Sequence, residues 1–107
     1  MIEAYCVDEV VVLKWEGNDS WGEPESATEY DFKARVEWKT KRISDWKGEE
    51  RLTDVRVFLP KRIDQTLGRR LRHEDRILLD GESHDRAILL IIEPKDWSKP
   101  HYEVYLA

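Results

Sequence analysis

The longest apolar segment of the chain lies in Asp75 to Ile92, DRILLDGESHDRAILLII, within an otherwise polar sequence. Its pattern predicts a hairpin. Ile77, Leu78 and Leu79 make a short strand, Asp80-Gly81 supplies residues that tolerate a tight turn, and Ala87 to Ile92 form the return strand. The return strand is apolar on both faces, because side chains alternate: Ala87, Leu89 and Ile91 share one face and Ile88, Leu90 and Ile92 the other. One face can fill a core, and the other also needs a cover.

Alternation recurs along the chain. Val10 to Trp15 reads as a first strand, β-branched and nearly two-sided. Gly17 to Tyr30, GNDSWGEPESATEY, has the composition of a long loop with Trp21 as its one large anchor. Phe32 to Ile43 alternates, with Phe32, Ala34, Val36 and Trp38 on the inward face and Lys33, Arg35, Glu37 and Lys39 outward. Asp45 to Glu50 turns through Gly48, and Leu52 to Leu59 returns with Val55, Val57 and Leu59 inward, completing a second hairpin. Beyond Pro60, Ile63, Leu67 and Leu71 are spaced by four, as on one side of a helix that Gly68 weakens. Lys61 to Glu74 is therefore expected to be an extended linker or a short frayed helix, lying over the outer apolar face of Ala87 to Ile92. His101 to Leu106 closes the chain as a strand with Tyr102, Val104 and Leu106 inward.

Six short strands with turn signals between them predict an all-β fold, a small antiparallel barrel or sandwich with long loops and at most one short helix. Closure into a barrel also hides the sheet edges. Its expected core includes Phe32, Val36, Trp38, Val57, Leu59, Ile77, Leu89, Ile91, Tyr102 and Val104. A length of 107 residues suits one domain. The five Trp and four Tyr allow a chain that is 38 % charged to fold.

The remaining composition removes function classes more than it supplies one. No apolar run reaches the roughly 20 residues of a membrane helix, and the start MIEAYCVDE is acidic, so a soluble, unprocessed chain without membrane contact is expected. A single cysteine, Cys6, makes no internal disulfide. The sequence holds no phosphate-cradling glycine loop, nucleophile elbow, HExxH or paired-cysteine motif, so neither enzyme activity nor a cofactor is expected. His84 with Asp85 and His101 with Glu103 have the donors of a metal site, but a solvated turn and a strand start explain them as well.

Charge is distributed unevenly. Residues 1 to 31 carry a net −8, residues 32 to 60 and 61 to 76 each +3, and residues 77 to 107 −3, giving the total of −5. The basic run around Arg69, Arg70 and Arg72 opens a nucleic-acid reading, which the overall negative charge and the lack of interleaved aromatics oppose. The rival reading pairs those arginines with an acidic protein surface. Glu16, Asp19, Glu23, Glu25, Glu29 and Asp31 of a neighbouring copy would provide one, unless the two stretches neutralise each other within one chain. Trp21 and Trp46, at loop tips, are candidate partner anchors, the alternative being that both fold back on the barrel. Both loops have few apolar residues and are expected to be mobile in the isolated chain.

Four pieces, in this order, resemble bacteriophage minor capsid and head-closure proteins, the stoppers or head-tail connectors. They are DSWGEP (Asp19 to Pro24), WKGEE (Trp46 to Glu50) followed by DVRVFLP, EDRILLDGE (Glu74 to Glu82) and the terminal HYEVYL (His101 to Leu106). The resemblance implies a small β-barrel assembling as a ring below the portal, with loops that contact portal or adaptor proteins and neighbouring copies. It implies passive contact with DNA in the channel, and a place in the virion head-tail junction after assembly in the bacterial cytoplasm. The alternative is an independent barrel module that binds nucleic acid or protein.

Overall fold

All six strands form, and they close into one antiparallel barrel in the order β1-β2-β3-β6-β5-β4. The computed structural model describes residues 8–15, 28–94 and 100–107. Its elements are β1 (Asp8–Lys14), β2 (Thr28–Ser44), β3 (Glu50–Pro60), α1 (Ile63–Leu67), β4 (Arg76–Leu79), β5 (Arg86–Ile92) and β6 (His101–Leu106). β2 begins at Thr28, so Thr28 to Tyr30, expected in the loop, pair with Lys14 to Val12.

The core follows the predicted alternation in β3 and β6. Val57, Leu59, Tyr102 and Val104 are fully buried together with Ile77 of β4, and Val10, Val12, Val55 and Leu106 join them. Phe32, Val36 and Ile91 are half-buried against this cluster. Trp38 is not a core residue. It lies opposite the buried Val55 at the barrel rim and is 60 % exposed. Directly beyond it the register slips between Trp38 and Lys41, a bulge that bends β2 where it leaves the barrel wall.

A second bulge, between Ile88 and Leu90, corrects the expected faces of β5. The extra residue shifts alternation by one, so Ile88 and Ile91, three apart, both serve the main core, while Leu89 and Leu90 pack with Ile43 and Tyr105. Cover for the outer apolar face of β5 therefore comes from the distal half of the β2–β3 hairpin. It does not come from Lys61 to Glu74.

That segment instead closes one barrel end. α1 ends at Gly68, whose φ of 80° is a left-handed conformation suited to glycine. Ile63, Leu67 and Leu71 all turn into the main core, as their spacing allows. Tyr102 ties the end together: its hydroxyl donates to Asp64 Oδ1 at 2.7 Å and accepts from the Leu71 amide at 3.3 Å. Burial, followed by the Asp64 hydrogen bond, pushes the Tyr102 hydroxyl pKa up.

The β4–β5 connection is wider than a tight hairpin. Glu82 N bonds Leu79 O around Gly81, but pairing resumes only at Arg76 with Ala87 and Ile77 with Arg86. β4 holds its place mainly through four register pairs with β1.

Candidate functional site

The most prominent feature outside the barrel is the arm formed by the distal halves of β2 and β3. β2 runs for 17 residues and β3 for 11, longer than β1, β5 and β6 can pair. Beyond the bulge, Lys41 to Ser44 pair with Thr53 to Glu50. Ile43 packs on Leu89 and Tyr105, and Thr53 Oγ1 bonds Leu106 O at 2.5 Å. These contacts fold the arm over the outer side of β5 and β6. Cross-strand partners share a face, so Ile43 and Arg51 point toward the barrel and Arg42 and Leu52 point to solvent.

The arm's tip is not the loose loop its composition suggests. Asp45 is buried, and its Oδ1 accepts the amides of Lys47 and Glu49, both at 2.9 Å. The Asp45 amide donates to Glu49 O, and Gly48 N donates to Asp45 O with Gly48 at a φ of 84°. Trp46 N then bonds Leu89 O at 2.9 Å, fastening the tip to β5. The Trp46 ring stacks on His73 at 5.1 Å and keeps half its surface in solvent. It both folds back and remains accessible.

Trp38 is the residue that the sequence misplaced and that the site gains. Arg86 lies over its ring at 5.3 Å. That guanidinium bonds Glu82 through Nε and Nη2 at 2.9 and 2.8 Å, and reaches Asp54 and Ala107 O through Nη1. The Glu82 hydrogen bond raises the Arg86 pKa and holds the Glu82 carboxyl below the usual range. Arg86 thus bridges the rim from β5 to β2. Leu52, 65 % exposed, was missed because it sits at the start of a strand whose inward pattern begins at Val55.

On the outer face of β2, β3 and β6, Arg56 bonds Glu37 at 2.8 Å and Glu103 at 2.6 Å. Its hydrogen bond lowers the Glu37 pKa, and Arg56 is itself raised in return. This network stiffens the sheet from which the arm departs.

The predicted basic face is largely used within the chain. Arg69 binds both oxygens of Asp75, at 2.9 and 2.7 Å, and Asp75 is fully buried. Arg70 bonds Glu93 while keeping most of its side chain in solvent, and Arg72 is exposed as well. Arg69 therefore serves the fold, because its charge is what makes the burial of Asp75 tolerable. Trp21, with Glu16, Asp19, Glu23 and Glu25, lies outside the described residues.

His84 is exposed in the β4–β5 connection, while His101 is buried at the other end of the barrel beside Phe58. Among the described residues, no group of three His, Cys, Asp or Glu is placed to hold a metal, and no helix is long and apolar enough to cross a membrane. What the arrangement presents is an arm pinned to the barrel with Leu52 and Trp46 accessible to solvent. Compared with known protein families and with curated proteins, the chain matches none.

Proposed function

We propose that this chain is a structural subunit of a phage or prophage head-tail connector, a head-closure or minor capsid protein that assembles as a ring below the portal. The observation that carries the reading is the arm. Three of the four large apolar side chains exposed among the described residues belong to it or to its base: Leu52 on the arm, Trp46 at its tip and Trp38 at the rim where it departs. Clustered apolar exposure marks a contact surface, and Trp is enriched where contacts carry binding energy. Fastening of the tip by Asp45 and by the Trp46 to Leu89 bond limits the ordering cost of docking.

The resemblance supplies the setting. DSWGEP (Asp19 to Pro24) lies outside the described residues, and the other pieces fall on the arm tip and β3, on β4 with its turn, and on β6. Portal or adaptor proteins and neighbouring copies are the partners in this reading, with DNA a passive neighbour in the channel. The test is co-sedimentation with purified portal rings from the phage or prophage that encodes the chain. The reading expects the wild type to travel with the rings and the Trp38→Ser/Leu52→Ser variant to stay behind while remaining folded. Wild-type protein that stays behind at saturating concentration overturns it.

A further inference from the structure

The outer wall opposite the arm carries a groove of about 400 Å³. Its floor is Val11 of β1 beside Leu78 of β4, and its rim includes Asp31 of β2 and Asp80 of the turn after β4. Two other rim acids are already engaged, Glu9 with Lys33 at 2.7 Å and Glu82 with Arg86. The carboxylates of Asp31 and Asp80 have no hydrogen-bond or ion-pair partner among the described residues. The groove therefore suits a short apolar side chain accompanied by a cation.

The arm presents that combination. Leu52 and Arg42 are register partners on its solvent face, and Leu52 is the most exposed large apolar side chain described. Among the described residues Arg42 pairs with Glu50 alone, at 3.7 Å, with both side chains more than two-thirds exposed, so it can exchange partners at little cost. In a ring of six strands, β1 and β6 stand three places apart in either direction. The groove is centred on β1 and the arm lies over β6 and β5, so the two features occupy different sides of the barrel.

Building on the reading of the chain as an assembling subunit, we propose that the Leu52–Arg42 face of one copy seats in the Val11–Leu78 groove of the next, with Arg42 reaching Asp31 and Asp80. Two different patches meet in such a contact, so it is heterologous, and repetition closes a ring or extends a filament. This replaces the pairing expected of Arg69, Arg70 and Arg72. Leu52 supplies apolar contact, and the charges set register and orientation.

The test uses the full chain and charge exchange. Sedimentation is measured from micromolar to about millimolar concentration for the wild type, for Arg42→Glu, for Asp31→Arg/Asp80→Arg, and for an equal mixture of the two variants. All three positions are exposed, so unchanged thermal unfolding is the control that the variants are folded. The wild type is expected to self-associate and each variant alone to do so about tenfold more weakly. In the mixture every acidic arm finds a basic groove and every basic arm an acidic one, so association returns. A monomeric wild type across the range, or a mixture no heavier than its components, overturns the proposal. So does loss of portal-ring binding by Asp31→Arg/Asp80→Arg with self-association intact, which would give the groove to a different partner. Restored association in the mixture without any portal binding would instead retain the contact and reject the connector reading.

Discussion

Arg69 holds both carboxylate oxygens of Asp75, a residue with no solvent exposure, at 2.9 and 2.7 Å. The same carboxylate accepts the amides of Arg72 at 2.9 Å and Trp15 at 2.8 Å, joining the loop after α1 to the end of β1. Removing one partner of a buried ion pair leaves an uncompensated charge and costs about 3 to 5 kcal/mol. Arg69→Ala is expected to lose that much in urea unfolding, a large share of a typical 5 to 15 kcal/mol. A loss below about 0.5 kcal/mol, as for an ordinary surface change, would contradict the role of the pair.

Trp38 and Leu59 separate rim from core. Leu59→Ala is expected to cost about 2 to 5 kcal/mol, because a fully buried side chain is replaced by a cavity. Trp38→Ser gives up an exposed ring and a cation–π contact with Arg86, so about 1 kcal/mol or less is expected. Chemical denaturation of both variants checks the order, and a reversed order would return Trp38 to the core.

Acid should weaken the sheet through Glu37 and Glu82. Both carboxyls are held low in the folded chain, Glu37 first by the Arg56 hydrogen bond and Glu82 first by that of Arg86. A depressed carboxyl contributes its stability fully above the ordinary glutamate value of about 4.3 and loses it as pH falls through the lowered folded value. Denaturation midpoints from neutral pH to pH ~3 should therefore fall more steeply for the wild type than for Glu37→Gln/Glu82→Gln. Parallel slopes would show that these pairs have no linkage to folding.

Alkali should act through Tyr102. Its folded pKa is raised, so the neutral hydroxyl is preferred, and the associated stability is present below the ordinary tyrosine value of about 10 and is lost as pH rises through the folded value. Tyrosinate absorbance should show a late-ionising component that disappears in Tyr102→Phe. The variant should also lose about 1 to 3 kcal/mol at neutral pH, since the Leu71 amide keeps no hydroxyl acceptor.

Much of the barrel was legible because strict alternation in β3 and β6 leaves one way to bury Val57, Leu59, Tyr102 and Val104. The two bulges were not, because neither Lys39-Thr40 nor Leu89 carries a glycine or proline to mark it. Each bulge shifts a face by one residue, which turns Ile43 toward the barrel and Ile88 into the core, whereas Trp38 precedes its bulge and is exposed because β2 leaves the barrel there. Of the candidate site, Trp46 could be read from its turn. The Arg42–Leu52 face depends on where the arm lands, and the groove depends on the register of three strands. Arg69 looked like a surface cation because its partner Asp75 precedes β4 as one more acid in a polar run, and only tertiary closure buries it.

Electron microscopy of portal rings incubated with the purified full-length chain tests the central claim most directly. The connector reading predicts a second ring of barrel-sized density on one face of the portal. The arm–groove contact predicts that each barrel's β5–β6 side faces its neighbour's β1. Portal rings that stay bare at saturating protein would contradict the connector reading, and barrels bound singly, without contact between neighbours, would contradict the assembly.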